Sequence, residues 1–261
     1  MPELPEVERA ARLIRRAALG KTIAAVKAIH PAHKKRFKPA QARAAKGRRI
    51  ENIERRGKHQ LLLLDSGDTL VVHFRMNGDW EVGKTTEPLD RFARAAIELT
   101  DGTRISLVDR RALSSITLDK KGESSLPKLG REASDPLLDA GYLVDVLRRK
   151  KIAIKPALMD QAVIAGLGNI YVAEALWEAR IDPRSPAAKV SRAKLEMLVD
   201  AIRLVLGPKK RRPGRYTDKR GVERFAVYDR EGKECRREDG LVERIVQAGR
   251  STYFCPGCQT R

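Results

Sequence analysis

His59-Gln60-Leu61-Leu62-Leu63-Leu64-Asp65-Ser66-Gly67-Asp68-Thr69-Leu70-Val71-Val72-His73-Phe74 sets two apolar runs of strand length on either side of a four-residue turn. The Asp-Ser-Gly-Asp turn supplies a glycine and short polar side chains, so the stretch reads as an antiparallel hairpin. The same short, β-rich runs recur on both sides of it. Ile23 to Ile29, Arg49 to Glu54, Phe92 to Leu99 and Arg104 to Val108 read as further strands, and Thr100-Asp101-Gly102-Thr103 as a second hairpin loop. From Thr22 to about Leu118 the chain is therefore expected to form a mostly antiparallel sandwich or barrel of roughly 100 residues. Within it, Lys34 to Lys46 is basic and alanine-rich, an inserted helix or loop.

Upstream of the strands, Val7, Ala10, Ala11, Ile14 and Ala18 recur at helical spacing, and Gly20 suits a helix end. A first helix is predicted from about Pro5 to Leu19, with Arg9, Arg12, Arg15 and Arg16 on a mostly solvated face. Ahead of it stands Met1-Pro2-Glu3-Leu4-Pro5-Glu6. With Met1 removed, Pro2 is a free secondary amine beside the Glu3 carboxylate. An α-amino pKa of about 7.7–8.0 leaves a useful unprotonated fraction near neutrality, so such an amine can attack a sugar C1′ or a carbonyl to form an imine. A lysine, near 10.4, would need strong burial to match it. The competing reading is a frayed terminus of no consequence.

Downstream, the polar stretch Lys120 to Ser134, punctuated by Gly, Ser and Pro, reads as a linker. The period then lengthens to 3.6. One helix holds Tyr142, Leu143, Val146 and Leu147; others run from Pro156 to Val163, Asn169 to Ala179 and Ser191 to Leu206. Ala165-Gly166-Leu167-Gly168 leaves backbone N–H groups at the start of the Asn169 helix, where a phosphate can be held; a tight, ligand-free helical hairpin is the alternative. Gly207 to Arg224 is a basic loop. Phe225-Ala226-Val227-Tyr228, a turn at Gly232 and Val242 to Val246 alternate as a β-ribbon that ends in cysteines.

The chain has 261 residues, enough for two domains, and 54 Lys+Arg against 34 Asp+Glu give a formal charge of +20. That balance favours a polyanion, nucleic acid first, through counterion release. No apolar run approaches 18 residues, which argues against a membrane, and Glu3, Glu6 and Glu8 stand where a signal peptide needs basic residues. The protein is expected to stay inside the cell. Its three cysteines, Cys235, Cys255 and Cys258, fall within the last 27 residues, the clustering of a metal site rather than a disulfide framework.

Taken together, Pro2-Glu3-Leu4-Pro5-Glu6, the β-rich domain, Asp160 to Tyr171 with Glu174-Ala175-Leu176, and Gly249-Arg250-Ser251-Thr252 before Cys255-Pro256-Gly257-Cys258 resemble the formamidopyrimidine-DNA glycosylase and endonuclease VIII family. The match runs through essentially the whole chain. It implies an α+β fold: an N-terminal helix plus antiparallel β-sandwich (1–119), a linker (120–134), a helix-two-turn-helix domain with a basic loop (135–224) and a zinc-ribbon-like β-hairpin (225–261). It also implies excision of an oxidised base from double-stranded DNA, with the nucleotide flipped out. Pro2 would be the nucleophile, Glu3 the acid that opens the sugar, Glu6 a supporting carboxylate and Lys58 a phosphate-contacting lysine. Asn169 and Arg250 would grip phosphates, Lys155 would lie near the DNA, Met76 would fill the gap left by the flipped base, and Arg110 would face the estranged base. Oxidised purines are the expected target. Oxidised pyrimidines, a catalytically silent damaged-DNA binder and an RNA- or ribosome-binding zinc-ribbon scaffold are the other readings. A cytoplasmic, nucleoid-associated bacterial monomer with structural zinc and no organic cofactor is implied.

Two places depart from the family pattern. The aromatic wedge should fall at Ala112, which is too small to unstack a base step, although Leu113 could serve if the loop shifts by one. The ribbon spacing puts a fourth cysteine at 238, where the chain has Glu. Zinc accepts carboxylate oxygen, so Glu238 or Asp239 could complete the set, or the ribbon could hold by packing without metal.

Overall fold

Leu62, Leu64, Leu70 and Val72 turn to the same side of their two strands, and each is at most 2% exposed. A computed structural model, which describes residues 1–207 and 225–261, shows what they bury against. The expected basic loop from Gly207 to Arg224 falls, but for its first residue, outside the described residues. The chain divides into two compact units, Met1–Pro127 and Lys128–Arg261.

The first unit runs α1 (Leu4–Ala18), β1 (Ile23–Ala28), α2 (Pro31–Arg36), α3 (Pro39–Ala45), β2 (Ile50–Arg56), β3 (His59–Leu64), β4 (Thr69–His73), β5 (Asp79–Lys84), β6 (Ala93–Leu99), β7 (Thr103–Val108) and β8 (Ser115–Asp119). The strands form two four-stranded sheets, β1-β6-β7-β5 and β2-β3-β4-β8, with antiparallel pairing throughout. Ile53, Leu62, Leu70 and Ile116 from one sheet share a core with Val26, Ile97, Ile105 and Leu107 from the other. The amphipathic α1 packs against β2 and β3 on one side and β5 and β7 on the other, adding Val7, Ala10 and Ile14 to that core.

Two strands escape the sequence reading, β5 and β8, and both are sheet edges. An edge strand has a partner on only one side; β5, Asp-Trp-Glu-Val-Gly-Lys, buries only its first two residues and carries a weak pattern. The basic insertion resolves into α2 and α3. Each begins with a proline at its first position, where the missing N–H costs no hydrogen bond.

The second unit contains β9 (Arg131–Glu132), α4 (Ala140–Leu147), α5 (Ile154–Met159), β10 (Ile164–Ala165), α6 (Asn169–Glu178), α7 (Arg192–Leu206), β11 (Glu243–Gln247) and β12 (Arg250–Phe254). Arg131 and Glu132, within the stretch read as linker, pair in parallel with Ile164 and Ala165. Helix α7 packs against both α6 and α4, and Leu143, Leu147, Val172, Leu176, Leu195, Leu198 and Ile202 on these helices are buried. A C-terminal hairpin forms as expected, but its strands are β11 and β12 and its turn lies at Ala248 and Gly249, both at positive φ, rather than at Gly232. Phe225 to Tyr228 forms no strand, contrary to its alternation. Its backbone is taken by a side chain instead: the N–H groups of Ala226, Val227 and Tyr228 all donate to the Glu174 carboxylate, at 2.7, 3.0 and 3.0 Å. Among the described residues no helix is long and apolar enough to cross a membrane.

Candidate active site and nucleic-acid interface

Glu3 is the N-cap of α1 and is 2% exposed. Its N–H donates to Glu6 Oε2 at 3.0 Å, one arm of a reciprocal capping box that fixes where the chain enters the helix. The Glu3 carboxylate beside Pro2 is thus held in one geometry. The direction of α1 can be read from its side chains. Arg15 donates to Ile53 O in the middle of β2, while Glu8, two turns earlier, accepts from Arg55 farther along that strand. Helix and strand therefore run antiparallel, and the head of α1 comes level with the end of β2 at Gly57 and Lys58, at rises of about 1.5 and 3.3 Å per residue. Burial acts to raise the Glu8 carboxyl, but Arg15, Arg12 and Arg55 hold it below its usual value.

Gly57 at φ 57° and Lys58 make the tight turn between β2 and β3, whose strands pair Arg56 with His59. Lys58 is only 5% exposed. Beside it, His59 and His73 sit opposite each other on β3 and β4 with ring centroids 4.5 Å apart. Burial, then the nearby His59, Arg75 and Lys58, push the His73 imidazole down to about 3, and burial lowers His59 as well.

The two loops expected to enter the DNA leave one sheet together. β4 and β8 pair His73 with Ser115, so the segment after His73 and the segment before Ser115 emerge side by side. In the first, Arg75 takes positive φ and Gly78 donates to Phe74 O at 3.0 Å; a Cβ at Gly78 would crowd the Phe74 backbone. Met76 lies at the tip of that turn and is 38% exposed. In the second, the buried Asp109 carboxylate accepts the N–H groups of Arg111, Leu113 and Ser114 at 3.0, 2.7 and 2.7 Å. Leu113 is 40% exposed, whereas Ala112, at φ 52°, offers only a methyl group. Arg110 lies over the Phe92 ring at 5.2 Å, with Arg91 and Arg94 at 4.6 and 5.7 Å.

The second unit gathers its own polar group. Gly166, at φ 99°, and the N-cap Gly168 bring the chain into α6, and Gln161 spans the glycine loop, accepting from Gly166 N at 3.0 Å and donating to Leu167 O at 2.8 Å. Asn169 stands at the head of α6 and donates to Ser251 O in the ribbon at 3.0 Å. Lys155, expected near the DNA, is fully buried. Its ammonium donates to Asn169 Oδ1 at 2.6 Å, Thr252 Oγ1 at 2.7 Å and Ser251 O at 3.1 Å. Lys155 therefore sets Asn169 and the ribbon in place instead of presenting its own charge. Arg250, at the start of β12, is exposed and lines a cleft of about 310 Å³ with Lys155, Pro156, Met159, Asp160 and Gln247.

The sulfurs of Cys235, Cys255 and Cys258 lie within 4.8 Å of one another, and all three residues are buried. Cys235 and Cys258 Sγ are 3.8 Å apart. Zinc–sulfur bonds of about 2.3 Å in a tetrahedron place ligand sulfurs at roughly that separation, so the cluster fits zinc. Glu238 does not join it. That residue is exposed, takes φ 60°, and closes a turn by donating its N–H to Cys235 O at 2.8 Å. Asp239 faces Cys255 Sγ with its main-chain oxygen, at 3.7 Å. A Cβ at Gly257 would fall inside that same carbonyl, so the two turns are pressed together as only glycine allows. Sequence reasoning gave Glu174, Gln161 and Asp109 no individual role. The first two stand in the quoted helix-two-turn-helix stretch, whereas nothing local marks Asp109 as a loop anchor.

Family models cover these parts in order: the formamidopyrimidine-DNA glycosylase N-terminal domain over residues 1–116, its H2TH domain over 129–210, and the zinc finger found in FPG and IleRS over 232–261. The chain is 40% identical over 273 residues to a formamidopyrimidine-DNA glycosylase of Chloroflexus aggregans, covering 99% of this chain and 98% of the relative. It is 37% identical to one of Erythrobacter litoralis, covering 99% and 100%. Among solved structures, Lactococcus lactis formamidopyrimidine-DNA glycosylase bound to DNA with an abasic site superposes with a TM-score of 0.89 at 28% identity, covering 99% and 100%. MutM in complex with DNA containing carbocyclic 8-oxoguanine gives 0.89 at 30%, covering all of both chains. With its capped Pro2-Glu3 terminus, Asn169 cradle and cysteine ribbon matched along the whole length, the chain belongs to the formamidopyrimidine-DNA glycosylase family, the DNA glycosylases of base excision repair.

Proposed function

We propose that the protein excises oxidised purines, 8-oxoguanine and formamidopyrimidines, from duplex DNA and cuts the strand at the same site through a Schiff base on Pro2. The observation that carries this is the buried Glu3 carboxylate, fixed at the head of α1 next to Pro2. With Met1 removed, the Pro2 nitrogen attacks C1′ of the flipped nucleotide; the C1′–N bond breaks and the base leaves with the electron pair and a proton. Glu3 protonates the ring oxygen as the sugar opens, giving an iminium ion between Pro2 and C1′. Loss of a C2′ proton then expels the 3′ phosphate, and a second elimination expels the 5′ phosphate. Both steps need no redox partner. The neighbouring complex of MutM with DNA containing carbocyclic 8-oxoguanine supports the purine reading, and the Lactococcus lactis enzyme bound non-covalently to abasic-site DNA supports binding of the excision product.

Phosphate holders complete the reading. Lys58 from the first unit and Asn169 and Arg250 from the second would grip the kinked backbone, contacts that position the duplex without reading its sequence. Arg250 suits this role because a guanidinium binds phosphate through two parallel bonds. Met76 and Leu113, the exposed apolar tips of adjacent loops, would fill the gap left by the flipped base, and Arg110 would meet the estranged partner. In this account the protein acts as a monomer in the bacterial cytoplasm, at the nucleoid.

Borohydride trapping on a duplex containing 8-oxoguanine tests the chemistry. A covalent protein–DNA adduct is expected, and Pro2→Gly should cut base excision at least about 100-fold. An unchanged excision rate in that variant would refute the nucleophile. Intact duplex binding with no adduct from the wild type would favour the silent binder, and a preference for oxidised pyrimidines in a side-by-side lesion panel would favour the endonuclease VIII-like reading.

A further inference from the structure

We propose that the ribbon's zinc is held by three thiolates, Cys235, Cys255 and Cys258, and that its fourth position is taken by an exchangeable small donor from solution, water or in its place an imidazole or thiol. The inference rests on the zinc-finger match and on the sulfur spacing that fits the metal.

Elimination begins with the sequence. It contains three cysteines and four histidines, and the histidines are 30, 33, 59 and 73. All four belong to the first unit and are engaged there: His30 caps α2, His33 bonds to Ser114, and His59 and His73 stack on each other. The second unit thus has no histidine and no further thiol; its other sulfurs, Met159 and Met197, are thioethers, outside the thiolate, imidazole and carboxylate set that zinc takes. A fourth protein ligand of that set would have to be an oxygen.

The carboxylates nearest in sequence, Glu234, Glu238 and Asp239, are exposed, and none of them joins the sulfur cluster. Glu238 occupies the ribbon position where the spacing calls for cysteine, but its side chain is exposed and outside the sulfur cluster, while its own N–H is spent closing the 235–238 turn. Asp239 is exposed too, and its backbone is pinned by contact with Gly257 and by the carbonyl that faces Cys255. Moving Glu238 or Asp239 onto the metal would mean shifting the turn that Gly257 presses against.

The other neighbours of the sulfurs are donors, which steady thiolate charge but cannot bind a cation. Trp177 Nε1 donates to Cys235 Sγ at 3.3 Å. The Arg237 guanidinium lies 4.0 Å from Cys258 Sγ, stacked 3.8 Å over the Trp177 ring and bonded to Trp177 O at 2.6 Å and Glu178 O at 3.1 Å. Three thiolates around a dication leave one negative charge, and a fixed guanidinium beside them offsets it without any fourth anionic ligand.

Cobalt(II) loaded into the full-length protein in place of zinc reads the ligand set by absorbance. Wild type is expected to show thiolate-to-metal charge transfer about three-quarters as intense as Glu238→Cys, three sulfurs against four. Imidazole or a small thiol should shift the wild-type ligand-field bands saturably and leave those of Glu238→Cys in place, while Glu238→Gln should match wild type before and after addition. A Glu238→Gln spectrum that differs from wild type with nothing added would make Glu238 the fourth ligand and overturn the proposal. Wild-type bands unmoved by either added ligand would overturn it as well, because the protein then closes the set. Absence of any cobalt bands would instead remove the metal reading on which the proposal stands.

Discussion

Lys155 shows how little of a side chain's surroundings its local sequence conveys. Its position in the sequence, shortly before the glycine loop, suggests proximity to phosphates, and nothing local reveals that its ammonium is buried among Asn169, Ser251 and Thr252. Lys155→Met keeps the volume and strips three oxygens of their cation. It should lower stability by about 3 kcal/mol in thermal or denaturant unfolding and also weaken binding to an abasic-site duplex, since Asn169 loses its partner. Unchanged unfolding would show that the triad is solvated and the burial unimportant. The places of Glu3 and Asn169, by contrast, were legible because a helix start and a glycine loop leave local signals in the sequence. His73 adds a pH effect. Its imidazole titrates near 6.5 when unfolded and is pushed down to about 3 when folded, so the folded state resists a proton the unfolded state accepts. The stability it contributes is complete above pH 6.5 and is lost as pH falls toward 3. Wild type should therefore become less stable over that window by a few kcal/mol more than His73→Gln, followed by denaturant melts at several pH values. Parallel pH profiles for the two proteins would remove His73 from the account.

Elements were legible where their pattern is self-contained. The β3–β4 hairpin carries its own turn and its own alternation, and α1 its own apolar stripe, so both appear within a residue or two of expectation. Strands β5 and β8 were not: Asp-Trp-Glu-Val-Gly-Lys buries only its first two residues and alternates weakly, and β8 has only five residues. Phe225 to Tyr228 fails for a different reason: its competitor, Glu174, is more than 50 residues away in sequence. Burial pushes the Glu174 carboxyl above its ordinary value, while the N–H groups of Ala226, Tyr228 and Val227 pull it back. Both of its oxygens are used, Oε2 by Ala226 and Oε1 by Val227 and Tyr228. Glu174→Gln must therefore turn an amide NH₂ toward a backbone N–H. We expect about 2 kcal/mol of destabilisation and faster proteolytic cleavage near residues 225–228, with the first unit's resistance unchanged. Equal cleavage rates in variant and wild type would show that the segment is held by packing alone.

For the whole molecule, the charge was the plainest signal in the sequence and the least specific about place. A net +20 spread over 261 residues makes association with any duplex strongly salt-dependent. With on the order of six or more phosphate contacts, affinity for undamaged DNA should fall roughly 1,000-fold or more between 50 and 200 mM salt, measured by fluorescence anisotropy. A shallow dependence would mean that the basic residues are mostly solvated and that few phosphates are gripped. Assignment to the family came from the order of the parts, Pro2-Glu3 first and the cysteines last, which no composition conveys. The pressing of Gly257 against the Asp239 carbonyl bears finally on inheritance. Because backbone contact shapes the two turns, a lineage can exchange a metal ligand at position 238 and keep the ribbon, but almost any codon change at Gly257 would force the turns apart. In this chain, position 238 therefore tolerates an exchange that Gly257 does not.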